Sequence, residues 1–234
     1  MATAAAPSAE FIRSCTSIAA PPLIPEITLH LSGDEPTVLW EHTERETGRA
    51  DLPPPFWAYP WAGGIALARY LLDHPERAAG RVVLDLASGS GLVAIAAARA
   101  GAALVIASDI DPMAVAAIAL NAAVNRVEVV VTDADLLAGD AAAAALLGGA
   151  TSFPAPDLVV VGDACYERRM AHRMLAFLRR AQSSGASALL GDPGRAYLPA
   201  TGLRPLASYV VPAWPGLEDT EVKQSTVWQL DPPE

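Results

Sequence analysis

The stretch Val82-Val83-Leu84-Asp85-Leu86-Ala87-Ser88-Gly89-Ser90-Gly91 decides how this chain is read. An apolar run ends in an acid and then in a glycine turn. An alanine-rich segment, Gly91 to Ala100, follows at once. An apolar run without polar alternation predicts a strand covered on both faces, as in a parallel sheet. The glycines let the backbone turn tightly and let a ligand lie against it.

The same unit repeats downstream. The pattern predicts strands at 103–108, 127–132, 157–161 and 186–190, with helices at 112–125 and 167–182 and an alanine-rich helix after 132. Pro112 suits the first turn of its helix. Leu206 to Val211 and Val222 to Leu230 read as two strands with no helix between them, and the linker 212–220 carries Pro215-Gly216, so an antiparallel hairpin is the natural closure. Alternating strands and helices with short loops predict a doubly wound α/β fold, mostly parallel, ending in that hairpin.

Upstream, residues 1–60 read as an accessory segment and 61–234 as the main domain. A short helix is expected over Ser8 to Ser17, broken by Pro21, Pro22 and Pro25. Leu52 to Trp61, with three consecutive prolines, reads as stiff and extended, presenting Phe56, Trp57, Tyr59 and Trp61. A helix over 62–73 follows.

Composition narrows the function. The 234 residues are 52% apolar and carry 26 acids against 16 bases, a net charge of −10. That balance argues against nucleic acid, whose phosphates require a basic face, and it favours a cationic substrate. Two cysteines and four histidines show no metal-ligand spacing. The first twenty residues lack a secretory pattern, and the longest apolar stretch is interrupted by Arg99 and Gly101. A cytoplasmic monomer without a membrane span is expected.

Asp109 ends the second strand, 18 residues past Gly91. A carboxylate there can accept both hydrogens of a ribose diol. Gly89-x-Gly91-x-x-Ala94 followed by that acid also fits a dinucleotide site. Three features favour S-adenosylmethionine. Asp85 stands before the glycines, where it can meet an ammonium but would repel a pyrophosphate. Roughly 80 residues precede the motif, whereas nicotinamide domains often begin with it. The closing hairpin leaves no room for a separate catalytic domain. At the end of the third strand, Asp133 is the expected adenine contact with Asp135 as the alternative, and helix capping is the competing reading of both.

Four segments carry a resemblance: Pro53-Pro-Pro-Phe-Trp-Ala-Tyr-Pro-Trp-Ala-Gly-Gly64, Asp85 to Gly91, Asp109-Ile-Asp-Pro112 and Gly162-Asp-Ala-Cys-Tyr-Glu167. They resemble the seven-strand lysine methyltransferases with an acid-x-x-aromatic motif after the fourth strand. Within that group the chain is similar to the bacterial electron transfer flavoprotein β-subunit lysine methyltransferases. Gly191-Asp-Pro-Gly-Arg-Ala-Tyr-Leu-Pro199 and Leu217-Glu-Asp with Val227-Trp228 add to the likeness. The resemblance implies a Rossmann-like seven-stranded methyltransferase sheet, S-adenosylmethionine as cofactor, and the flavoprotein β subunit as partner. It implies Asp163 and Tyr166 as the substrate-side acid and aromatic, and Trp61 and Gly63 as cofactor-pocket walls beside Asp85, Gly89, Gly91, Asp109 and Asp133. Ala87 departs from it, since glycine is common there.

Other readings stay open: methylation of another protein or a small amine, a nicotinamide-dependent oxidoreductase, or a non-catalytic cofactor-binding protein. Asp163 could instead cap the helix beginning near Glu167. Trp57 is expected in the core and Cys165 as a buried small residue. Arg168, Arg169, Arg173, Arg179 and Arg180 are expected on a solvated helix face.

Overall fold

The computed structural model describes residues 5–48, 50, 52–138, 140–149, 153–214 and 220–232. The expected turn at Pro215-Gly216 and the Leu217-Glu-Asp segment lie outside them. The strands they flank are β8 (Leu203–Pro212) and β9 (Val222–Leu230), paired antiparallel as the sequence requires.

Five parallel strands precede that hairpin: β3 (Val82–Leu86), β4 (Leu104–Ser108), β5 (Val130–Thr132), β6 (Leu158–Gly162) and β7 (Ser187–Asp192). The sheet order is β5-β4-β3-β6-β7-β9-β8. The chain therefore runs outward from β3 to one edge, returns beside β3 at β6, and runs to the other edge. β3 and β6 are parallel neighbours, with Asp85 level with Val160. The reversal opens a crevice at their carboxyl ends, where open α/β sheets bind ligands.

Strand residues alternate between two apolar layers, as a two-residue period demands. Val83, Val105, Val160 and Leu189 join one core with helices α3 (Ala62–Asp73) and α4 (Leu92–Arg99). Leu84, Ile106, Val159 and Leu190 join the other with α6 (Asp140–Leu147) and α7 (Arg168–Ser183). α5 (Pro112–Asn125) starts at Asp111, whose side chain accepts the Met113 amide, and Pro112 occupies its first turn.

The N-terminal segment holds more structure than its prolines suggest. Helix α1 spans Ala5–Cys15, ending before the expected Ser17, and α2 spans Pro36–Thr47, where no helix is expected. Between them, β1 (Ser17–Ala19) and β2 (Leu29–Leu31) form a small antiparallel ribbon. The Phe56–Ala58 stretch is a single 3-10 turn rather than fully extended. Phe11, Ile12, Leu39, Trp57 and Tyr59 pack on α5 through Met113 and Ala117, which places Trp57 in the core as expected. The segment is tied to α5 by polar contacts too. Asn121 accepts the His30 amide at 2.7 Å, and Asn125 both accepts from and donates to Thr28.

Candidate active site

The glycine turn after β3 is built on left-handed backbone. Ala87, Gly89 and Gly91 have φ of 56°, 56° and 81°. Ala87 therefore stands where a side chain is strained, which is the physical reason glycine is common there. An added Cβ at Gly89 would meet nothing within 4 Å, whereas one at Gly91 would press on Ile118. Gly89 lines a cavity and Gly91 packs the helix.

Asp85 lies at the floor of that turn and is 1% exposed. Its Oδ2 accepts from Ser88 Oγ at 2.5 Å and from the Ala94 amide at 2.9 Å. Burial, only partly countered by those bonds, pushes its carboxyl up to about 7. Asp109, past the end of β4, accepts from the Gly89 amide at 2.8 Å and the Asp111 amide at 3.0 Å. Burial raises its carboxyl as well.

Asp163 follows β6 with φ 59°, a left-handed conformation that a non-glycine residue adopts at some cost. Its side chain is 2% exposed and forms a fork with Arg195, Nε–Oδ1 2.6 Å and Nη2–Oδ2 3.2 Å. Oδ2 also accepts from the Gly63 amide at 3.0 Å. Gly63 is in the first turn of α3, whose N-cap residue Trp61 supplies no side-chain cap. Asp163 thus satisfies an open amide of a distant helix. The helix near Glu167 is capped by Glu167 itself, which accepts from the Arg169 and Met170 amides.

This arrangement requires α3 to lie directly against the strand ends. A Cβ on Gly63 would collide with Gly191 O and Asp163, one on Gly191 with Gly63 O, and one on Gly162 with Gly64 at 2.8 Å. Gly63 is accordingly a backbone-approach residue and is not among the cavity-lining groups.

These elements enclose one cavity of about 600 Å³. Asp85, Ser88, Gly89, Asp109 and Asp111 line one part, and Asp163, Tyr166 and Arg195 another. Trp61 lines it with Phe56, whose ring lies 5.5 Å from Trp61 and 5.3 Å from Tyr166. Near β5 the wall is Ala134, Asp135, Leu136 and Leu137; Asp133, exposed like Asp135, is outside the lining. Arg169 and Arg173 face the cavity rather than only solvent, and Arg179 bonds Asp231 O at 2.6 Å, so the expected solvated arginine face is partly engaged. Burial pushes the Cys165 thiol up to about 12, which leaves no thiolate nucleophile near neutral pH. Among the described residues no cluster of three His, Cys, Asp or Glu suits a metal, and no helix is long and apolar enough to cross a membrane.

Arg195 was not singled out from sequence. Its signal is the Gly191-Asp-Pro-Gly-Arg segment. Asp192 Oδ1 accepts from the Gly194 and Arg195 amides, both at 2.7 Å, and the turn aims the guanidinium at Asp163.

A sheet of this order, closed by an antiparallel hairpin with its cavity at the β3/β6 reversal, is the Rossmann-like methyltransferase fold. Comparison with known proteins narrows the class. A family model described as ribosomal protein L11 methyltransferase (PrmA) matches residues 66–145. The L11 methyltransferase of Herpetosiphon aurantiacus is 49% identical over 59 residues, 25% of this chain and 18% of that protein. Far more of the chain matches the electron transfer flavoprotein β-subunit lysine methyltransferase of Xenopus laevis: 37% identity over 231 residues, 95% of this chain and 86% of that protein. The Homo sapiens protein of that name is 35% identical over 221 residues, 90% of this chain and 76% of that one. Among solved structures, TrmN from Thermus thermophilus aligns with a TM-score of 0.48 at 23% identity, covering 71% of this chain and 48% of that one. The chain belongs to the electron transfer flavoprotein β-subunit lysine methyltransferase family.

Proposed function

We propose that this chain transfers a methyl group from S-adenosylmethionine to a lysine of the electron transfer flavoprotein β subunit. The observation that carries this reading is one cavity holding two sets of groups: a glycine turn with two carboxylates, and an acid–aromatic pair beside them.

The residues fit the methyl donor. Gly89 is open to the cavity, and Asp85 is a buried carboxylate with no cationic partner among its hydrogen bonds, a site suited to an ammonium. Asp109 holds two amides and keeps lone pairs for a diol. The amides a dinucleotide pyrophosphate would need are taken: Gly89 by Asp109, Ala94 by Asp85 and Gly91 by Ser88 O. That favours the methyl donor over the nicotinamide reading. For the adenine end, the cavity wall favours Asp135 over Asp133.

When bound, S-adenosylmethionine supplies a methyl group activated by a sulfonium. The chain's own residues then have two tasks. A lysine is mostly ammonium at pH 7, and freeing its lone pair costs about 4.6 kcal/mol. Tyr166 and Phe56 wall an apolar channel for the alkyl chain, and Asp163 with Trp61 positions the amine within it. No dedicated base is required, because water can take the proton.

The test is intact-mass analysis of purified flavoprotein β subunit after incubation with the chain and S-adenosylmethionine. Mass gains in methyl increments are expected. A chain that binds the cofactor but leaves the β subunit unmodified, while labelling another protein or a small amine, overturns the substrate assignment.

A further inference from the structure

The carboxylate at the substrate end of the cavity is already neutralised. Arg195 meets both oxygens of Asp163, with Nε–Oδ1 at 2.6 Å and Nη2–Oδ2 at 3.2 Å. Three features fix this pair in place. Asp192 locks the Arg195 turn through two amides. The guanidinium carbon lies 5.7 Å from the Trp61 ring centroid. The two strand ends are tied by Asp163 N to Gly191 O at 2.8 Å and Tyr197 N to Cys165 O at 3.1 Å. Such a fork is pre-organised and stronger than a single ammonium contact.

A free carboxylate at this position would favour the ammonium form of an incoming lysine, the form that cannot attack a methyl group. A carboxylate paired to a fixed guanidinium keeps its shape and its hydrogen-bond acceptors but loses most of that bias. We propose that Arg195 is a positioning residue that neutralises Asp163, so that the site takes its lysine as the free amine rather than the ammonium. This rests on the reading of the cavity as a lysine site.

Other ionisable groups face the pair. Cys165 and Tyr166 are each pushed up to about 12 by burial, so neither changes charge near neutral pH. Asp192, raised by burial, adjoins the pair on the β7 side, and Asp109 and the chain neighbour Glu167 act electrostatically on Tyr166. Arg169 and Arg173 line the rim from α7. All are retained when only residue 195 is changed.

The probe is n-butylamine, titrated calorimetrically into the full chain saturated with S-adenosylhomocysteine, from neutral pH to above the amine's own pKa. Arg195→Met should bind it at least about tenfold tighter than the unaltered chain at neutral pH, about 1.4 kcal/mol. The gap should close once the amine is neutral in solution. Arg195→Lys, which keeps the charge and guards against a folding defect, should stay close to the unaltered chain. In parallel, the acid limb of kcat on the flavoprotein β subunit should move to higher pH in Arg195→Met. Weaker or unchanged amine binding in Arg195→Met, or no amine binding in any form, overturns the inference. Amine binding as expected with no methylation of the β subunit overturns only the substrate assignment.

Discussion

Asp85→Asn should stabilise the free protein while weakening its hold on the cofactor, and the size of the first effect follows from burial. In the fold the Asp85 carboxyl is lifted from its ordinary 3.8 to about 7. The folded state therefore binds that proton more tightly than the unfolded chain does. Stability falls as pH rises between those two values; the penalty is absent below the lower and complete above the higher. At about 1.4 kcal/mol per pH unit its ceiling is about 4 kcal/mol. Asparagine cannot ionise, yet it keeps an oxygen for the Ser88 hydroxyl and Ala94 amide. Any fixed cost of the substitution cancels when two pH values are compared. The gain from Asp85→Asn should be larger at about pH 8 than at about pH 5 by about 2 to 3 kcal/mol. For a chain of this length that corresponds to roughly 5 to 10 °C in Tm. Scanning calorimetry at both pH values measures it, and repeating the scans with S-adenosylmethionine should reverse the ranking, since only the carboxylate meets the ammonium. An equal gain at both pH values, or a larger one at the lower, refutes the account of Asp85 as a buried carboxylate kept for a cation.

Three further outcomes are expected. Asp163→Asn should abolish methyl transfer while calorimetric cofactor affinity stays nearly intact; lost cofactor binding would move Asp163 out of the substrate side. Ala87→Gly should stabilise by about 0.5 to 1 kcal/mol, because the left-handed turn no longer strains a Cβ, and a urea midpoint that does not rise would show the turn relaxes without it. Gly191→Ala should cost about 3 kcal/mol or more, since its Cβ would collide with Gly63 O, and a soluble variant with unchanged unfolding would contradict the close packing of α3 on the strand ends.

The sheet and its glycine turn are legible in the order of the residues. Apolar runs at 82–84, 104–107 and 158–161 can only be satisfied with both faces covered, and the acids Asp85, Asp109 and Asp163 just beyond them mark where the chain leaves the core. It also placed Asp85, Asp109 and Asp163 at one end of the sheet, because strand ends of a parallel sheet point the same way, whereas Asp133, expected with them, lies outside the cavity lining. The α2 helix escaped notice because it buries only Leu39 and Thr43 and so carries little apolar periodicity. The ribbon β1–β2 was equally faint, with three residues per strand.

What those carboxylates touch is set by packing between elements far apart in the chain. Gly63 and Asp163 are a hundred positions apart and Asp163 and Arg195 thirty-two, yet all three meet at the ends of neighbouring strands. That Asp135 rather than Asp133 lines the cavity depends on how the chain turns after β5. Local periodicity says which face of an element is buried. It does not say which element lies alongside, and an ion pair or a glycine contact forms only once sheet order and register have brought the partners together.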